Sequence, residues 1–185
     1  AGAVILQPTE EEDRGILTSK LHSDGREAEH LAFISPGCHG GYHGEKDQFG
    51  FSDNPFDTVF ITQKMLDEAL IYPNMNGQHV FKFAVKKFPE VIMEVLSENG
   101  YQPSDLKMLV PHQANLRISQ LVQRLLKLRD DQVYNNIQKY GNTTAASIPI
   151  ALSEAYHDGK IEGGDLVCLA AFGSGFTWGA SLLKW

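Results

Sequence analysis

The sequence is short of cysteine, short of positive charge and without any long hydrophobic run. There are 2 cysteines, Cys38 and Cys168, among 185 residues, with no CxxC spacing. A disulfide framework is therefore not expected, and a reducing, cytoplasmic setting fits. Lysine and arginine number 16 against 23 aspartates and glutamates, for a net charge of −7 and a pI near 5.4. Such a balance argues against nucleic acid as a partner, and any anionic partner must be met by a local basic patch. No apolar run approaches the roughly 20 residues that cross a bilayer. The opening stretch Ala1–Leu6 lacks the basic flank and cleavage site of a signal peptide, so no membrane association is expected. What is present, 42% hydrophobic and 21% charged residues, is the composition of a soluble globular protein with a real core. Residues Ala1–Leu6 read as a buried strand with no cap before it, so the chain is expected to begin in mid-fold; a trimmed piece of an independent domain is the alternative.

Along the chain, β-rich and helical segments alternate. GILTSKL (Gly15–Leu21) reads as a strand ended by the turn-prone Ser23, Asp24 and Gly25. Pro36–Gly50, with glycines at 37, 40, 41, 44 and 50, reads as a long loop. The stretch 56–69 is β-rich at first and helical from Gln63 to Leu70. From Gly77 the residues Val80, Phe81, Ala84, Val85, Phe88, Ile92, Val95 and Leu96 recur at helical spacing, and Asn99-Gly100 is the stop. Leu106–Val110 reads as a strand leading into a helix over 113–128 with Leu116, Leu121, Leu125 and Leu128 inward. A further helix spans Ala145–His157, and two strands joined by a glycine turn end the sequence. Strands alternating with helices predict an α/β fold around a largely buried mixed sheet.

Three segments can carry chemistry. His112 follows a buried strand and precedes a helix, the edge of an open α/β sheet where ligands bind. A helix N-terminus also disfavours imidazolium, so a histidine there tends to stay neutral and donate from one ring nitrogen. Asn142, in Gly141-Asn-Thr-Thr144, lies in a turn feeding a helix, and a lone Gly-Asn is more often a turn than a catalyst. Phe172-Gly-Ser-Gly-Phe176 brings backbone N–H groups to a tight turn, which can hold an oxyanion or simply close a hairpin. Cys38-His39 with His43 offers too few ligands at a recognisable spacing for a metal, and no metal site is expected. Cys168, within an apolar run, reads as a small buried hydrophobe, and Cys38 as an ordinary loop thiol.

Taken together, Val110-Pro-His-Gln-Ala-Asn115, Tyr140-Gly-Asn-Thr-Thr-Ala-Ala-Ser-Ile-Pro149 and Ala171-Phe-Gly-Ser-Gly-Phe-Thr-Trp-Gly179 resemble, in order and spacing, the C-terminal half of the β-ketoacyl-ACP synthase III family. The likeness extends to Leu21-His-Ser-Asp-Gly25 and to Asn76-Gly77 with Val80-Phe81, with a departure over 26–73, where this sequence looks longer than typical members. The resemblance implies a thiolase-like fold, with residues 1–14 ending the N-terminal half and 15–185 forming the C-terminal half. It implies a condensing enzyme, an acyltransferase that joins an acyl-CoA primer to malonyl-ACP, with no cofactor. His112 and Asn142 would hold the malonyl thioester oxygen, and the backbone N–H of Ser174 the acyl oxyanion. The nucleophilic cysteine would lie on an N-terminal half, and neither Cys38 nor Cys168 matches it. Gln78, Ala114, Asn115 and Phe172 would line a CoA-pantetheine tunnel, and Arg117, Arg124 and Lys127 would meet the acidic acyl carrier protein. A homodimer of the completed enzyme is expected. Two other readings stay open at this stage: a relative with another acceptor, of polyketide or quinolone type, and a non-catalytic carrier or dimerisation subunit. Retention of both His112 and Asn142 speaks against the latter, since a scaffold has no need of two positioned donors.

Overall fold

The structure, a computed structural model, describes residues 1–11, 13–33 and 61–185. The expected loop over 36–50, Cys38, His39, His43 and the β-rich reading of 56–60 lie outside the described residues. The chain divides into two compact units, the first made of Ala1–Ser23, Phe81–Gly173 and Thr177–Trp185, the second of Asp24–Val80 and Ser174–Phe176.

The first unit is built on a four-stranded mixed sheet. Its strands are β1 (Gly15–Ser23), β4 (Met108–Pro111), β5 (Leu166–Gly173) and β6 (Thr177–Lys184), in the order β1-β6-β5-β4. β4 and β5 run parallel, while β6 is antiparallel to both β5 and β1. Parallel neighbours need a long crossover, and the helices α3 (Leu116–Leu125), α4 (Ile137–Tyr140) and α5 (Ser147–His157) lie in it. One face of β4 and β5 presents Met108, Val110 and Val167, which pack with Ala151, Leu152 and Ala155 of α5. On the opposite face, Phe172 and Trp178 stack on each other and pack against Phe83 and Phe88 of α2 (Gly77–Glu98) in tilted and edge-on contacts, with ring centroids 5.7–6.5 Å apart. Cover on both faces is why β5 reads as an almost unbroken apolar run, the signature of a buried strand. β6 and β1 approach so closely that a Cβ on Gly179 would lie 2.5 Å from the Leu21 side chain and 2.7 Å from the Lys20 carbonyl.

α2 matches the expected helix at both ends, and its stripe of Ala84, Phe88, Val91, Ile92, Val95 and Leu96 is buried. Two expectations fail. Residues Ala1–Leu6 form no strand and are exposed, Ile5 at 93%. A strand needs a neighbour for its backbone groups, and none of the described strands pairs with this segment. The helix expected over 113–128 is shorter, because the Asn115 side chain caps it by accepting from the Arg117 N–H at 2.9 Å, and it ends at Leu125. That start sets the phase of the inward stripe, so Ile118, Ser119, Val122 and Leu126 are buried while Leu116 and Leu125 are exposed. Leu128, beyond the helix, is buried as expected.

The second unit contains the short antiparallel pair β2 (Leu31–Phe33) and β3 (Pro73–Met75), a 3₁₀ helix over Gly25–His30, and α1 (Gln63–Asp67). The Thr62 hydroxyl caps α1 by accepting from the Met65 N–H, and Met65 is fully buried. Phe176, also fully buried, exchanges backbone hydrogen bonds with Asp24 at 2.8 and 2.9 Å.

Candidate active site

β4 delivers His112 at its carboxyl end, and the His112 N–H extends the ladder by donating to the Ala170 carbonyl at 2.8 Å. The backbone is therefore fixed at the ring, and the side chain points to the sheet face covered by α5. There Nδ1 lies 2.6 Å from Oγ of Ser147, the first residue of α5. The same Oγ accepts from the Gln113 N–H at 3.2 Å. Ser147 is 2% exposed, and a buried hydroxyl proton without an acceptor is costly. Among the described residues Nδ1 is the one acceptor recorded for it, so the hydroxyl donates to Nδ1 and the ring proton sits on Nε2. Burial holds the His112 pKa below its ordinary value, which keeps the ring neutral. The outcome is an imidazole with a single, aimed donor at Nε2.

Asn142 is oriented by similar accounting. It lies in the turn between α4 and α5, where Gly141 has a φ of +69° and Thr144 of +52°. Its Oδ1 accepts from the Thr144 N–H at 2.8 Å, which occupies the acceptor end of the amide and leaves Nδ2–H as its donor. The turn is anchored upstream by Gln113, 3% exposed. The Gln113 amide donates to the Pro111 carbonyl at 2.7 Å and to that of Tyr134 at 3.3 Å, while its oxygen accepts from the N–H groups of Asn136 and Ile137 at 3.0 and 3.2 Å. A second anchor is Glu154 on α5, bonded by Lys139 at 2.5 Å, by the Tyr140 hydroxyl and by Asn136 at 2.8 Å. Lys139 first, then Tyr140 and Asn136, hold the Glu154 carboxyl down at about 2. The His112 and Asn142 segments are thus joined through Ser147 and Gln113, two residues the motif reading quoted without giving them a role. A serine at a helix start and a glutamine beside a histidine carry no distinctive pattern; only the contact identifies them.

The other expected site residues fall in several places. Phe172 is buried in the aromatic cluster against α2, and Ala114 is half-buried just after His112. Asn115 is exposed and spends its Oδ1 on the α3 cap. Arg117 and Arg124 are both exposed on α3, and Lys127 lies just past its end with a φ of +54°. Ser174, exposed in the β5–β6 turn, and Gln78, exposed in the first turn of α2, belong to the second unit. Cys168 is fully buried, and burial pushes its thiol up to about 12, so it is an inert hydrophobe as expected.

Residues 96–185 match the family described as 3-oxoacyl-[acyl-carrier-protein (ACP)] synthase III C terminal. Over the whole chain, the sequence is 43% identical to beta-ketoacyl-[acyl-carrier-protein] synthase III of Rhodospirillum centenum, of which it covers 50%. It is also 43% identical to the protein of that name from Desulfotalea psychrophila, of which it covers 51%. The chain belongs to the β-ketoacyl-ACP synthase III family, as its C-terminal half. It spans about half the length of the curated relatives it matches. The fold agrees: the crystal structure of 3-oxoacyl-[acyl-carrier-protein] synthase III from Aquifex aeolicus superposes with a TM-score of 0.73 at 36% identity, covering 96% of this chain and 46% of that one. The α/β architecture is thus thiolase-like, as the motifs implied. Among the described residues no helix is long and apolar enough to cross a membrane.

Proposed function

We propose that this chain supplies the enolate-stabilising half of a β-ketoacyl-ACP synthase III, which condenses an acyl-CoA primer with malonyl-ACP to begin fatty acid biosynthesis. The observation that carries the reading is the hydrogen-bond accounting that leaves His112 with an Nε2–H donor and Asn142 with an Nδ2–H donor. When the malonyl thioester loses carbon dioxide, the electrons of the breaking C–C bond move onto the thioester oxygen. Two fixed donors stabilise that oxygen more than water does, because they need no reorientation as the charge develops. The enolate carbon then attacks an acyl thioester carried by a cysteine of the N-terminal half, and the resulting oxyanion is received by the backbone N–H of Ser174. Collapse of the adduct expels the cysteine thiolate and releases the β-ketoacyl product on its carrier. Neutral His112 suits this role, because it donates a hydrogen bond without being consumed as an acid.

In this reading residues 1–14 end the N-terminal half and 15–185 make up the C-terminal half. Gln78, Ala114, Asn115 and Phe172 line the pantetheine path, with Asn115 offering the Nδ2–H that its capping role leaves over. Arg117, Arg124 and Lys127 receive the acidic carrier protein, the reaction needs no cofactor, and the complete enzyme works as a cytoplasmic homodimer. Sheet residues that α5 does not cover, among them Leu21 at 80% exposure, support packing against a second half. The test separates the half-reactions in the full-length protein. His112→Ala and Asn142→Ala should each slow malonyl decarboxylation on the order of 100-fold or more, while acyl transfer from acyl-CoA to the cysteine stays near wild type. An equal fall in both half-reactions would refute the assignment.

A further inference from the structure

The second unit carries a cluster of side chains that the condensation does not use. The 3₁₀ helix over Gly25–His30 repeats every three residues, which places Glu27 and His30 one above the other on a single face. Its start is fixed by Asp24, whose carboxylate accepts from the Arg26 N–H at 3.2 Å and binds the Arg26 guanidinium at 2.7 and 2.9 Å, holding that cation in its own ion pair. His79 arrives from the first turn of α2, where its N–H donates to Oδ1 of Asn76 at 3.1 Å. The two elements are tied by the Asn76 N–H, which donates to the His30 carbonyl at 2.9 Å. As a result Nε2 of His79 lies 2.6 Å and Nε2 of His30 3.7 Å from the same Glu27 oxygen, Oε2. The imidazole rings are 4.0 Å apart, and the fully buried Phe176 ring lies 6.1 Å from His79 and 6.5 Å from His30.

From this geometry we infer that Glu27, His30 and His79 form a binding site for a divalent transition cation of the Zn²⁺ class. The three donor atoms lie within 4.8 Å of one another. Two imidazoles and a carboxylate make a donor set of the type zinc takes, with metal–ligand distances of about 2.0–2.2 Å. Donors at that distance on a tetrahedral ion stand about 3.3 Å apart, so the pair at 2.6 Å opens by about 0.7 Å and the pair at 3.7 Å closes by about 0.4 Å. Rotation of half-buried side chains supplies that adjustment without moving either backbone. The set favours zinc over magnesium or calcium, which take oxygen ligands. A bound ion clips the 3₁₀ helix to the start of α2 and closes the chain between residues 27 and 79, so it contributes to folding of this unit. Among the described residues these three side chains are the ligands, and water can take a fourth position.

The test uses the full-length protein, stripped with chelator, titrated with ZnCl₂ by calorimetry and with Co²⁺ by visible spectroscopy. One equivalent should bind above background, produce the d–d bands of a low-coordinate cobalt site, and raise the melting temperature. Loss even of a residue that only orients a metal ligand costs about 10–100-fold in affinity. His30→Ala, His79→Ala and Glu27→Gln should therefore each weaken Zn²⁺ on the order of 100-fold or more, whereas His22→Ala and His157→Ala should not. Circular dichroism of the stripped variants separates lost binding from lost fold. Absence of binding by the wild type, undiminished affinity in a folded His79→Ala variant, or binding lost in Cys38→Ser, His39→Ala or His43→Ala but retained in His30→Ala would overturn the assignment.

Discussion

Replacing Ser147 by alanine tests the tautomer argument at its root. The change removes one oxygen, which donates to Nδ1 of His112 at 2.6 Å and accepts from the Gln113 N–H at 3.2 Å, from a position 2% exposed. A buried polar group left unpaired costs about 1–3 kcal/mol, and two groups lose their partner. Part of that cost appears as lost stability, a fall of about 2–4 kcal/mol in urea unfolding of the full-length protein. The catalytic part is separate: without the hydroxyl donor, Nδ1 can take the ring proton, and the tautomer with Nε2–H is no longer enforced. Loss of the preference leaves a mixture in which about half of the rings carry Nε2–H, which alone slows decarboxylation about twofold. If freeing the ring also costs about 1.5–3 kcal/mol of transition-state stabilisation, the fall is about 10–100-fold, at 1.36 kcal/mol per decade. Acyl transfer to the cysteine, which does not use this ring, should hold. Nitrogen NMR of His112 reads the tautomer directly, and should shift from pure Nε2–H to a mixture in the variant. A pH profile is a second readout. The neutral ring of the wild type, whose pKa burial lowers from 6.5, binds fewer protons than in the unfolded chain. Stability and the His112-dependent rate are therefore retained near pH 6.5 and lost as the pH falls further below it. Decarboxylation within twofold of wild type in a folded Ser147→Ala protein, with the tautomer unchanged, would refute the reasoning.

Gln113→Leu should leave the Asn136 and Ile137 N–H groups and the Pro111 carbonyl without their partner, costing on the order of 3 kcal/mol in denaturant unfolding; a cost below 1 kcal/mol would mean that water replaces the amide. Arg117→Glu combined with Arg124→Glu should raise the Michaelis constant for malonyl-ACP and spare acyl-CoA kinetics. The effect should be larger at 0.01 M salt, where the Debye length is about 30 Å, than at physiological salt, where it is about 8 Å. Unchanged carrier kinetics at both ionic strengths would make these arginines an ordinary solvated face.

Periodicity alone determined much of this protein. The stripe from Val80 to Leu96, the apolar run from Leu166 and the glycine stop after Asn99 depend on neighbours a few residues apart, and local geometry translates such patterns directly into helix, strand and turn. Three motifs in fixed order determined the family, two of them at strand ends of the sheet and one in the turn between α4 and α5. Pattern could not decide the fate of Ala1–Leu6, since an apolar run becomes a strand only when a partner completes its ladder, nor the phase of α3, which one capping side chain resets. Tertiary structure alone decided the rest. Ser147 stands 35 residues from His112 in sequence, and Gln113 reaches Asn136 across 23. Glu27, His30 and His79 converge over 52. Hydrogen bonds between such distant side chains follow from how strands and helices stack, and they determine which nitrogen of His112 carries the proton, whereas the orientation of Asn142 is set locally by the Thr144 N–H.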